Sequence, residues 1–202
     1  SAEYGFRGLP TTNKVQPDRA PPREDHASLD DQVSAKLKRA YQKIRQFMGE
    51  RSRNEKYAFI NIKNGKKFKT YVVNMHEGTV ADVFDSLIGY RGIGCGKGQT
   101  RPGIFRLHNR RGIGASRKPH WGNNWKYYVM QNIGGHSRRW GGRGCGIYYQ
   151  HVAHSNRHMK GASAQEPARG RYSAGCFVTS PEKFNQWTSR VAGNALIYNY
   201  AE

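Results

Sequence analysis

Hydrophobic positions along this chain recur with two different periods. From Ser28 onward, Leu29, Val33, Leu37, Tyr41, Ile44 and Met48 return at three- and four-residue steps, with Lys36, Lys38, Arg39 and Lys43 on the other faces. That is the spacing that gives an α-helix one apolar stripe, so residues 28–50 are expected as an amphipathic helix. Ser28 suits its N-cap, where a short hydroxyl can accept from the first unpaired amides. Asp30 and Asp31 suit the positive end of the helix, and Gly49 supplies a stop. The period then shortens. Residues 57–63 and 66–75 are rich in β-branched and aromatic side chains and flank Asn64-Gly65, a pair that accepts the left-handed backbone of a tight turn, so a β-hairpin is predicted.

Beyond the hairpin the pattern is less regular. Residues 79–87 read as a short helix, and residues 103–107, 126–132, 146–151 and 175–179 as short strands separated by glycine-rich stretches. Residues 181–191 read as a closing helix capped by Ser180, with Pro181 at the first position, where no amide is needed. Residues 1–27 hold Pro10, Pro17, Pro21 and Pro22 and no apolar period, as expected of an extended arm or linker. Three segments follow: an arm (1–27), a helix (28–50) and a β domain (51–202). The expected fold is mainly β, with peripheral helices and an N-terminal helix.

Charge changes the picture. The chain carries 34 basic and 14 acidic residues, a formal excess of +20. Residues 1–27 are balanced, with Arg7, Lys14, Arg19 and Arg23 against Glu3, Asp18, Glu24 and Asp25. The excess therefore lies beyond them, and no carboxylate side chain occurs between Asp85 and Glu166. A field of one sign concentrates polyanions, whether nucleic acid, anionic lipid or an acidic cell-wall polymer. The sequence has no apolar run of about eighteen residues, the length that would predict a membrane-spanning helix.

Three cysteines leave one over after any single pairing. Cys95 and Cys145 both sit between glycines, where a bridge is sterically easy, with buried thiols as the alternative; if the bridge forms, Cys176 is the odd thiol. Cys176 lies in Ser173-Ala-Gly-Cys-Phe-Val178, where Gly175 lets the backbone approach a substrate carbonyl and nearby amides could receive an oxyanion. A thiol attacks as thiolate, so it needs a base in reach, and neighbouring Arg and Lys favour that form. Histidines precede it in Gln150-His-Val-Ala-His154 and at His158.

These residues resemble the catalytic domain of the L,D-transpeptidases, the YkuD-type domain. That family carries a strand-end His, a variable loop, and Ser-His-Gly-Cys; Ala174 stands here where the family has its second His. Residues 94–105, Gly-Cys-Gly-Lys-Gly-Gln-Thr-Arg-Pro-Gly-Ile-Phe, resemble the family's Thr-Pro-x-Gly-x-Phe segment with Arg101 inserted, and the hairpin matches its opening. The resemblance covers about residues 57–190. It implies an L,D-transpeptidase-like β-sandwich or barrel acting on peptidoglycan stem peptides through a thioester, in the periplasm or secreted to the bacterial cell envelope.

On that reading Cys176 is the nucleophile, His154 the base with His151 as the alternative, Gly175 part of the oxyanion pocket, and Ser173 a turn or substrate contact. A carboxylate to orient the base would have to come from Asp82, Asp85, Glu166 or Glu182, so a backbone carbonyl is the expected partner. No cofactor is expected. No metal is expected either, because His151, His154 and His158 lack a His-Glu-x-x-His or paired-cysteine context. The competing expectation is a basic nucleic-acid-binding or virion structural protein without catalysis, using Trp121, Trp125, Tyr127, Tyr128, Trp140, Tyr148 and Tyr149 among cations. A further expected partner is an acidic polymer, or a partner for the N-terminal arm.

Overall fold

A computed structural model describes residues 27–28, 35–48, 56–64, 67–89, 91–96, 98–114, 125–134, 150–154, 176–192 and 195–200. Among these described residues nine strands form one mixed sheet. They are β1 (Ala27–Ser28), β2 (Tyr57–Asn64), β3 (Lys67–Asn74), β4 (Thr79–Ser86), β5 (Gly103–Gly114), β6 (Trp125–Gly134), β7 (Gln150–His154), β8 (Phe177–Thr179) and β9 (Leu196–Asn199). The order across the sheet is β1-β4-β3-β2-β9-β5-β6-β7-β8. Just past β4, Leu87 pairs with Val178 of β8, the two exchanging amide-to-carbonyl bonds of 2.9 and 2.8 Å. The sheet thereby curls until its ends meet, which leaves few open edges. The mainly β class expected from the sequence holds.

The alternation along each strand sorts the core into two layers. Phe59, Val72, Phe84, Phe105, Tyr128, Val152, Phe177 and Ile197 share the inner layer, drawn from every strand between β2 and β9. Their neighbours Ala58, Ile60, Val73, Val80, Ile104, Leu196 and Tyr198 share the outer layer. Helix α1 (Ala35–Met48) lies on that outer layer and buries Leu37, Ala40, Ile44 and Met48 there. Burying a Leu, Ile or Met side chain contributes about 2 kcal/mol, enough to hold a 14-residue helix that would be marginal alone.

The C-terminal segment closes the inner layer. It runs from α2 (Pro181–Lys183) through a π-helical stretch (Phe184–Thr188) into α3 (Ser189–Val191), and Ser180 Oγ caps it by accepting from the Lys183 amide at 3.2 Å. Trp187 meets Tyr57 edge-on at 5.3 Å, and Phe184 stacks on Tyr128 at 5.4 Å. The Trp187 indole donates to Asp82 Oδ2 at 2.8 Å, an oxygen that also holds Lys183 Nζ at 2.6 Å.

Two expectations are corrected. Residues 79–87 are strand, not helix, because the register slips between Val72 and Val73 and leaves Ala81 as an extra, bulged residue on β4. The bulge makes Val80 and Ala81 consecutive buried residues with Phe84 following, a spacing that imitates a helix stripe. Ser28 is not a helix cap: it pairs with Thr79 in β1, and the described helix begins at Ala35. Strand β9 was not expected at all; it inserts between β2, parallel, and β5, antiparallel. Ser1 to His26, and the hairpin residue Gly65, lie outside the described residues.

Candidate active site

Cys176 immediately precedes β8. That strand runs parallel to β7, with Val152 opposite Phe177, Ala153 opposite Val178 and His154 opposite Thr179. Continued one step back, the same register sets position 151 level with position 176. Residues level across paired strands share a face, and positions an odd number apart fall on opposite faces. Position 151 therefore shares Cys176's outer side. Position 154 shares the side of Phe177 and Thr179, three residues further on, or roughly 10 Å along the strand. On β6, Val129 stands opposite His151 and Tyr127 opposite Ala153, which extends this outer surface by one strand.

The thiol itself is 3% exposed and packs with Leu87 and Val178. It takes part in no disulfide. Cys95, by contrast, is disulfide-bonded; Cys145, the third cysteine of the chain, lies outside the described residues. Ser173, Gly175 and His158 also lie outside them.

The glycine-rich segment after Leu87 is held by its own backbone. Gly89 donates to Thr100 Oγ1 at 2.7 Å, Arg91 to the Gly98 carbonyl at 3.0 Å, and Thr100 to the Gly92 carbonyl at 2.9 Å. Gln99 Oε1 accepts from the Gly96 amide at 2.6 Å, while its Nε2 donates to the Arg91 carbonyl at 3.2 Å. Gly89 is obligatory in this arrangement, since a Cβ there would stand 2.3 Å from the Gly98 carbonyl oxygen and 2.7 Å from the Thr100 amide nitrogen.

A buried polar row lies beneath that segment, at the end of the sheet where β8 opens. Asn61 Nδ2 donates to Asn199 Oδ1 at 2.8 Å, and Asn199 Nδ2 donates to the Arg101 carbonyl at 2.9 Å. Thr70 Oγ1 donates to Asn61 Oδ1 at 2.6 Å and lies 2.9 Å from Ser86 Oγ. A carbonyl oxygen can only accept, so the single Thr70 hydrogen goes to Asn61 and Ser86 donates to Thr70. Proton donation thus runs one way, from Ser86 to Arg101, across four strands and on to the backbone just ahead of β5. Sequence reasoning missed this row. Its signal was present: Asn61 falls in phase with inward-facing Tyr57 and Phe59.

Carboxylates are engaged elsewhere. Asp82 is held by Lys183 and Trp187, and Asp85 pairs with Lys69 at 3.1 Å across an exposed surface. Among the described residues no three His, Cys, Asp or Glu gather as a metal site, and no helix is long and apolar enough to cross a membrane. Tyr127 and Tyr128, two of the aromatics considered for base stacking, are fully buried instead. Burial pushes the Tyr127 phenol above its ordinary pKa, because the phenolate is the form that loses hydration.

No family model matches this sequence, and no curated protein matches it. Some solved structures are similar. They include Bd1075 of Bdellovibrio bacteriovorus, at 14% identity and a TM-score of 0.47, covering 76% of this chain and 50% of that one. An L,D-transpeptidase from Mycobacterium smegmatis aligns at 15% identity and a TM-score of 0.43, over 72% of this chain and 59% of its own. A fused Zn-dependent amidase/peptidase/peptidoglycan-binding domain-containing protein from Clostridium acetobutylicum ATCC 824 aligns at 14% identity and a TM-score of 0.37, over 92% and 66%. The chain spans half the length of the first and less than two thirds of the second. Likenesses this loose carry no functional argument.

Proposed function

We propose that this protein is a cysteine-dependent L,D-transpeptidase or L,D-peptidase acting on peptidoglycan stem peptides in the bacterial cell envelope. The observation that carries the reading is the parallel pairing of β7 with β8, which sets a histidine position level with a non-disulfide cysteine at a strand opening. His151 is the base favoured by that register; His154, favoured by loop spacing, is the second. The imidazole takes the Cys176 proton as the sulfur attacks the carbonyl following a diaminopimelate-type residue, and backbone amides near Gly175 receive the oxyanion. Collapse breaks the C–N bond, the imidazolium returns its proton to the departing D-amino acid, and a thioester remains on Cys176. An acceptor amine resolves it in transpeptidation, or water in hydrolysis.

The thiol is 3% exposed, and that burial favours a second reading. In it Cys176 is a small packing residue beside Leu87 and Val178, and the basic chain binds a polyanion without catalysis. Mass spectrometry of purified muropeptides separates the two. The catalytic reading predicts product with wild type, none with Cys176→Ser, and a loss of at least about a hundredfold with His151→Ala, the scale of general-base catalysis. The packing reading predicts no product from any of these proteins and a lowered melting temperature for Cys176→Ser.

A further inference from the structure

Helix α1 carries Lys36, Lys38, Arg39, Lys43 and Arg45 and no Asp or Glu. Four of its residues, Lys38, Tyr41, Gln42 and Arg45, recur at the spacing of one helical face and form a wall of a groove of about 340 Å³. The opposite wall is His76, Glu77 and Gly78, in the turn between β3 and β4. Asn74 builds that turn: its Oδ1 accepts from the amides of His76 and Glu77 at 3.1 Å each, and its carbonyl accepts from Gly78 at 2.9 Å. Gly78 has φ +64°, and a Cβ there would stand 3.2 Å from the Tyr41 hydroxyl. Glycine therefore keeps the groove open to that hydroxyl, which accepts from Arg45 Nη1 at 3.4 Å.

The groove is distinct from the candidate active site. Strand β4, 8 residues long, runs from the groove to the Leu87–Val178 bridge, so the two regions stand roughly 25 Å apart. Lys38 and Arg45, seven residues apart on the helix, stand roughly 10 Å apart along its axis and can meet successive anionic groups on one chain. Among the described residues Glu77 is the groove's one carboxylate, and against it stand the two cations Lys38 and Arg45.

We propose that this groove binds a base-free phosphodiester polymer of the cell wall, of the poly(glycerol phosphate) type. The helix buries its apolar stripe on the outer core and leaves Phe47 exposed, a single side chain and too little apolar surface to insert into a bilayer. Tyr41, which lines the groove, is half-buried against the same core and its hydroxyl accepts from Arg45, which leaves that ring poorly placed to stack a nucleobase. What remains is a charged, hydrogen-bonding channel for a flexible chain of phosphates.

The test is calorimetric titration of the full chain with poly(glycerol phosphate) at several salt concentrations. Lys38→Gln/Arg45→Gln should weaken binding at least tenfold and flatten the slope of log K against log salt by about 1.4, the value for two lost contacts to a flexible polyanion. Lys38→Arg/Arg45→Lys, which keeps both charges, should bind within about twofold of wild type. Gln42→Glu adds a carboxylate to the same wall without removing buried packing and should weaken binding severalfold. Cys176→Ser should bind like wild type, so loss of peptide turnover and loss of polymer binding are read separately. Unchanged affinity in both the double Gln variant and Gln42→Glu would overturn the proposal. So would tighter binding of an oligothymidylate of equal phosphate number that the same variants abolish, since the occupant would then be nucleic acid.

Discussion

Replacing Asn61 by Ala cuts the buried polar row at its middle. Two groups lose their partners at once: the Thr70 hydroxyl loses the oxygen it donates to at 2.6 Å, and Asn199 Oδ1 loses the amide that reaches it at 2.8 Å. All three residues are completely buried, so water does not replace those bonds at no cost. A buried polar group left unpaired costs about 1–3 kcal/mol, which puts the pair near 4 kcal/mol. For a chain of this size that corresponds to a melting temperature lower by about 12 °C. Ser86→Ala removes only the end of the row and leaves Thr70 its donation to Asn61; the expected cost is about 1 kcal/mol. Urea unfolding followed by tryptophan fluorescence measures both, with an unchanged denaturant slope showing that the unfolded states are comparable. A cost for Asn61→Ala of about 1 kcal/mol or less, or one no greater than that of Ser86→Ala, would refute a row whose members depend on one another.

Further outcomes follow from the same structure. Gly89→Ala forces its new carbon against the backbone of Gly98 and Thr100; overpacking together with strain on the buried Gly89–Thr100 bond should lower stability by about 3 kcal/mol, measurable by the same urea titration. Burial keeps Tyr127 protonated in the folded chain to higher pH than in the unfolded chain, where tyrosine ionises near pH ~10. Its contribution is thus complete below that pH and is lost as pH rises past it, at up to about 1.4 kcal/mol per pH unit; Tyr127→Phe should flatten the alkaline fall, and an unchanged slope would count against the buried phenol. Thiol titration of the unfolded, unreduced chain should report one thiol, Cys176, and three after reduction, matching the three cysteines of the sequence.

The hairpin and α1 were legible because each holds one period over enough residues to specify a face. Strand β4 was not, since the bulge at Ala81 breaks the two-residue alternation that marks a half-buried strand. Strand β9 escaped for another reason. Leu196 and Tyr198 face the outer core under α1 while Ile197 faces the inner one, so both sides are apolar and no alternation remains to be read. At the candidate site, the Gly-Cys-Phe-Val segment was visible in sequence, and so were the histidines. Which of them stands level with Cys176 was not, because loop length counts residues between two strands, whereas register is fixed by how those strands pair. Of the polar row only the phase of Asn61 along β2 was legible, because Asn61, Thr70, Ser86 and Asn199 stand on separate strands and meet only through the order β4-β3-β2-β9.

The proposed reaction forms a thioester between Cys176 and a stem peptide. Intact-protein mass spectrometry of the full chain, quenched in acid during incubation with a tetrapeptide muropeptide, tests it most directly. Thioester formation predicts a mass increase equal to the peptide minus its terminal D-amino acid, mapped to Cys176 by digestion, released by hydroxylamine and absent in Cys176→Ser. Turnover of the muropeptide by Cys176→Ser at the wild-type rate, with no adduct on the wild-type chain, would contradict it.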